Sequence, residues 1–166
     1  MIVKRSFTVD VQIACNDPGI PNDGEIRSWV ELAVHSAGRG LNGQIEVAVR
    51  IVGAEEIRTL NGQYRQQDNL TNVLSFPAGD SHGLPGGDVL LLGDVIVCAS
   101  VVSAEAEAQG KEIADHWGHM LVHGTLHLLG FNHEADSDAA EMERLEARIL
   151  AERGVADPYT STALSP

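Results

Sequence analysis

The stretch HGTLHLLGFNH, His123 to His133, sets three histidines at spacings of four and six, with Gly130 three before the last. Its first half continues a helical pattern that begins near Lys111 and runs to Leu129. On that helix His123 and His127 project from one face about one turn apart. Gly130 stands where helices commonly stop, so the backbone can double back and bring His133 to the same point from a new direction. Imidazole nitrogens bind zinc at roughly 2.0–2.1 Å, and three of them leave a fourth tetrahedral position for water or substrate, as in catalytic zinc sites. The expectation is a metal held by His123, His127 and His133 on a central helix.

The same ligand spacing occurs in zinc peptidase helices, H-E-x-x-H-x-x-G-x-x-H, where the glutamate beside the first histidine is the general base. Here that position is Gly124. Amide hydrolysis is therefore disfavoured. A phosphodiester is a better match, because a metal can activate water and neutralise a phosphoryl oxygen together. Gly124 is expected to leave room over the metal, and in a weaker reading that room takes a small substrate. His119, four before His123, shares its face. It reads either as a partner that orients a metal-bound histidine or as a partly buried polar residue near the helix start. His35 and His82 read as surface residues.

Outward from this segment the chain alternates strands and helices. "EIRSWVELAVHSAG" places Ile26, Trp29, Val30, Ala33, Val34 and Ala37 at steps of three and four, an amphipathic helix ended by Gly38 and Gly40. "QIEVAVRIV" (Gln44 to Val52) is a β-branched, alternating strand. "AEEIRTLNGQYR" predicts a short helix closing near Asn61 and Gly62, and "TNVLSFP" a short strand stopped by Pro77. "DVLLLGDVIVC" (Asp88 to Cys98) predicts a central strand in which Gly93 marks a bulge or a close approach. "SVVSAEAEAQG" precedes the histidine helix, and a last helix capped by Asp136 or Ser137 carries Met142, Leu145, Ile149 and Leu150 as its apolar stripe. The pattern implies an α+β domain with a mixed sheet of about four strands on one layer and helices on the other. The domain is expected over residues 1–156, with a frayed tail at 157–166.

The chain has 166 residues, 43% hydrophobic, enough for one domain with a real core. No run of eighteen apolar residues is present, and the alternating start reads as a strand rather than a signal peptide, so the expected location is cytoplasmic. Cys15 and Cys98 lie far apart and read as buried thiols. The net charge of -13, with 11 Lys and Arg, opposes loose binding to a phosphate backbone. A nucleic-acid substrate would need local recognition or help from a partner.

Two segments carry a resemblance. "HGTLHLLGFNH" resembles the H-G-x-L-H-L-x-G-[FY]-[DN]-H signature of the YbeY endoribonucleases, the rRNA maturation factor family. "LNGQYRQQDNLTNVLSFP" is similar to that family's L-N-x-x-[YF]-R-x-x-[DN]-x-x-T-[DN]-V-L-S-F-P. "LLGDVIVC" looks like a third block, and the likeness runs from about Val9 to Tyr159. The departure is Asn132, where Asp is commoner, which weakens any carboxylate base beside His133. The resemblance implies a single zincin-like domain, one zinc ion per chain on His123, His127 and His133, and a functional arginine at Arg65.

It further implies a zinc-dependent endoribonuclease specific for single strands. Such an enzyme would act in rRNA processing (16S rRNA 3' end maturation) and ribosome quality control. The expected partners are ribosomal RNA and the small ribosomal subunit or an associated protein, with no membrane and no DNA. Arg65 offers a planar fork that could clamp the scissile phosphate if the "NVLSF" strand lies beside the metal helix. Asp94, after Gly93 in an apolar run, reads either as a buried acceptor for a metal-bound histidine or as a structural hydrogen-bonding group. The alternative function is a non-catalytic, zinc-stabilised ribosome-assembly factor, which a fourth protein ligand such as His119 or Asp136 would favour.

Overall fold

The computed structural model describes residues 5–38, 43–66, 69–78, 89–132 and 135–159. Four strands, β1 (Arg5–Ile13), β2 (Gly43–Val52), β3 (Val73–Pro77) and β4 (Val89–Cys98), form one sheet in the order β1-β2-β4-β3. The first three in that order run parallel, and β3 pairs antiparallel with β4 at the far edge. The helices are α1 (Asp23–Ala37), α2 (Ala54–Arg65), α3 (Ala99–Gln109), α4 (Ile113–Leu128) and α5 (Asp136–Ala151). The mixed four-stranded α+β architecture is as the sequence predicts.

The apolar stripes explain the layers. α1 starts on Asn22, whose side chain accepts from the Glu25 amide, and buries Ile26, Trp29, Val30, Ala33 and Val34. They pack with Ile45, Val47, Val49 and Ile51 of β2 and with much of α4 in one core. Each such aliphatic side chain, fully buried, contributes roughly 1.5–3 kcal/mol. α4 is buried on nearly every side and touches α1, α3, α5, β3 and β4, so it is the central helix. The sheet is not one-sided, however. Ile57 of α2 joins Val52, Leu74, Ile96 and Cys98 in a second cluster on its other face.

Two element ends differ from the sequence reading. α2 does not close at Asn61 and Gly62 but continues to Arg65. Buried Asn61 reaches out of the helix to Asn69, and the turn comes at Gln66, in the left-handed region with φ of 56°. α5 is capped by Ala135 without a side-chain hydrogen bond, so neither Asp136 nor Ser137 caps it. Gly93 makes both a bulge and a close approach. The register against β2 shifts there, φ is 137°, and a Cβ would lie 2.2 Å from the Phe76 carbonyl oxygen. Among the described residues Cys15 and Cys98 are free thiols, Cys98 buried.

Gly124 faces the sheet, not the metal. A Cβ there would stand 2.7 Å from Val95 Cγ1, 3.1 Å from Val73 Cγ2 and 3.3 Å from Ser75 Oγ. The Ser75 hydroxyl donates to the Gly124 carbonyl oxygen at 2.8 Å, so α4 lies directly on β3 and β4. The space expected over the metal, and the small substrate it might have taken, are corrected to a close helix–sheet contact. Gly124→Ala should gain up to about 1 kcal/mol of helix propensity but lose about 1–3 kcal/mol to overpacking against β-branched neighbours. Thermal unfolding should show a lower Tm; a higher Tm would mean that the contact does not constrain the residue.

Candidate metal centre

His123 and His127 lie in the last turns of α4, and their Nε2 atoms are 3.1 Å apart. What stands behind each ring fixes its tautomer. His123 Nδ1 is 2.6 Å from Glu146 Oε1, and His127 Nδ1 is 2.9 Å from the Phe131 carbonyl oxygen. An ionised carboxylate and a carbonyl can only accept, so each Nδ1 carries its ring's proton. Both Nε2 atoms then turn lone pairs toward one point. Two such lone pairs at that separation repel unless a cation or an added proton lies between them, and the donor set fits a divalent ion that accepts imidazole.

Glu146 belongs to α5 and is fully buried. Burial works against its charge, but hydrogen bonds from His119, His123 and Tyr159 outweigh it and hold its pKa down to about 2. The Tyr159 hydroxyl donates to Glu146 Oε2 at 2.6 Å and receives His119 Nε2 at 3.1 Å. Burial and the adjacent carboxylate push the Tyr159 phenol upward, so it stays a donor. Tyr159 is thus anchored, where the sequence reading places it in a frayed tail. His119, His123 and Glu146 also bring one donor atom each within 4.8 Å of one another, close enough to hold a metal ion.

Phe131 and Asn132, which lead toward His133, line a cleft of about 890 Å³ with His123, His127, Gly130, Tyr64, Arg65 and β3. His133 itself lies outside the described residues, as do Asp68 and His82. Arg65 ends α2, is exposed, and opens onto the same cleft as the two histidines, across β3. The wall is braced from behind. Glu105 of α3 accepts from Asn72 at the start of β3 and from His116 of α4 at 2.8 Å, while Cys98 N donates to Asn72 O. Burial lowers the His116 pKa, an effect the Glu105 carboxylate only partly offsets.

Other expected site residues fall elsewhere. Asp94 is exposed. It alternates along β4 with Val95, whose side chain meets α4 at Gly124, so it lies on the opposite face of the sheet from the histidines. It is neither buried nor an acceptor behind them. Asp136 is exposed in the first turn of α5, and His35 is exposed. Glu146 and Tyr159 escaped the sequence reading. The signal for Glu146 was present: it sits one residue after Leu145 and three before Ile149, inside the apolar stripe of α5. A charge on an apolar face needs partners.

The family model for endoribonuclease YbeY matches residues 12–154. The chain is similar to proteins named endoribonuclease YbeY from several bacteria. With that of Psychromonas ingrahamii it is 46% identical over 154 residues, 92% of this chain and 96% of the relative. With that of Alcanivorax borkumensis it is 49% identical over 154 residues, 92% and 86% of the two chains. The solution structure of TM1509 from Thermotoga maritima is similar in fold, with a TM-score of 0.56 and 25% identity over 86% of this chain and 87% of that one.

Tyr159→Phe removes one donor from a buried carboxylate. It should lower stability by about 1.5–3 kcal/mol, the worth of a hydrogen bond to a charged group. The midpoint of urea unfolding measures this, and an unchanged midpoint would mean that Tyr159 does not hold Glu146.

Proposed function

Because this chain belongs to the endoribonuclease YbeY family, we propose that its cleft cuts single-stranded RNA beside one zinc ion held by His123, His127 and His133. As a member of that family it is an endoribonuclease, a hydrolase of phosphodiester bonds acting on RNA. The observation that carries the finer reading is the pair of Nε2 atoms 3.1 Å apart, each ring with its Nδ1 turned to an acceptor. In a tetrahedral site with bonds of about 2.0–2.1 Å, donors stand about 3.3 Å apart. The Nε2 separation suits that. The 2.6 Å between His123 Nδ1 and Glu146 is shorter, and is a hydrogen-bond length. We therefore assign Glu146 and His119 to holding His123 and not to ligating the ion. His133 enters from the spacing of the motif.

When bound, zinc supplies Lewis acidity and an acidified water. The residues do the rest. His123 and His127, held in orientation by Glu146 and the Phe131 carbonyl, would hold the ion through their Nε2 atoms. Arg65 takes the scissile phosphate in its guanidinium fork and stabilises the negative charge that builds on the phosphoryl oxygens. At a net charge of -13, electrostatics alone do not hold naked RNA. We assign the small ribosomal subunit or an associated protein as the partner that presents the strand. The cellular setting is 16S rRNA 3' end maturation and ribosome quality control in the cytoplasm.

Two measurements test this reading. Metal analysis paired with RNA cleavage should show His127→Ala losing zinc and activity together. Arg65→Ala should keep its zinc and cleave about 10²–10³-fold more slowly; normal cleavage by Arg65→Ala would remove it from the mechanism. Cleavage rates on free RNA and on small subunits should differ in favour of the subunit, and equal rates would refute the need for a partner.

A further inference from the structure

We propose that Tyr64 is a stacking platform for an unpaired base next to the scissile phosphate, and that this contact makes the cleft selective for single strands. The inference rests on the reading of the cleft as the place where RNA is cut. Tyr64 is 64% exposed, the most exposed large hydrophobic side chain among the described residues. A tyrosine open to solvent on a helix is ordinary, but this one is held. Its ring sits 5.0 Å from the Phe76 ring at 63°, and Phe76 in turn packs on the cluster of Ile57, Leu74 and Ile96. The ring is thus fixed on one side and open elsewhere, beside Arg65 and on the cleft that holds His123 and His127.

The chemistry that matches such a surface is a flat π-face. Every base has one, so stacking tolerates any sequence, and it adds affinity that does not depend on counterion release. This suits a chain with 11 cations against 24 Asp and Glu. Arg65 and Tyr64 are consecutive in α2, so a phosphate in the arginine fork brings its own nucleotide within reach of the ring. In a duplex both faces of that base are already covered by its neighbours, and the platform has nothing to take. Only 4% of the chain is Phe, Trp or Tyr, and the other tyrosine, Tyr159, is committed to Glu146.

The test uses the zinc-loaded full chain and single-stranded oligoribonucleotides carrying 2-aminopurine at successive positions. Wild-type protein and Tyr64→Phe should quench the probe at one position, and Tyr64→Ala should not. With cleavable RNA, Tyr64→Ala should raise KM about 5- to 150-fold, the worth of one stacked base, with a far smaller change in kcat. Its Tm should fall by only a few degrees, for the lost edge-to-face contact with Phe76, and weak binding to duplex should not change. If Tyr64→Ala binds and cleaves single strands as wild type does, the stacking role is wrong while the enzyme reading stands. If Tyr64→Phe fails as Tyr64→Ala does, the hydroxyl and not the face is used, and the platform is again refuted. If wild-type protein cuts RNA neither as a free strand nor on the small subunit, the enzyme reading itself falls, and stacking with it.

Discussion

A buried carboxylate and a main-chain carbonyl stand behind two imidazoles one helical turn apart, and the rest of the site follows from that. Each acceptor claims the proton of its ring, so both remaining nitrogens must face the same point. Long-range structure supplies the two acceptors. α5 brings Glu146 across to His123, and the chain that turns after α4 returns the Phe131 carbonyl to His127. The left-handed Gly130, φ 101°, sits in that turn and makes it possible.

Glu146 is a poor investment if judged by stability alone. A buried charge is expensive even when paired, and an apolar side chain in the same stripe would pack with Met142 and Ile149 at no such expense. Three donors offset the burial, drawn from α4 and from the segment after α5. What the arrangement provides is orientation: a ring that cannot rotate away from its task. The same reasoning applies to the other wall. Glu105 ties Asn72 to His116, and Ser75 ties β3 to α4, so hydrogen bonds join the edge strand to the histidine helix at two points. Arg65 and Tyr64 reach the cleft from α2 on the opposite face of the sheet because β3 is short, antiparallel and at the edge.

Local signals were legible. The 3.6-residue period of α1, the β-branched run of β2, the bulge at Gly93 and the spacing of His123 and His127 all depend on neighbours in sequence, and the structure has them where the pattern puts them. Non-local effects were not legible. Gly124 is small because Val95 and Val73 press on it from the sheet, not because something sits over the metal. Asp94 lies in an apolar run yet is exposed, since burial on β4 depends on which face each neighbouring element covers. α2 outruns its Asn61–Gly62 turn signal because Asn61 finds a partner in Asn69 rather than stopping the helix. Tyr159 looks like tail until Glu146 is placed opposite it. Glu146 also broke a local rule in view, a charge in an apolar stripe, and here the conflict falls at the candidate site.

The direct test is the tautomer and ligation state of the histidine rings by ¹⁵N NMR as one equivalent of zinc is added. The account predicts that His123 and His127 keep Nδ1 protonated throughout and that their Nε2 resonances move on binding, while His119 keeps its hydrogen bond. Movement of His123 Nδ1 together with His119 Nε2 instead would put the ion on the Glu146 side and contradict it.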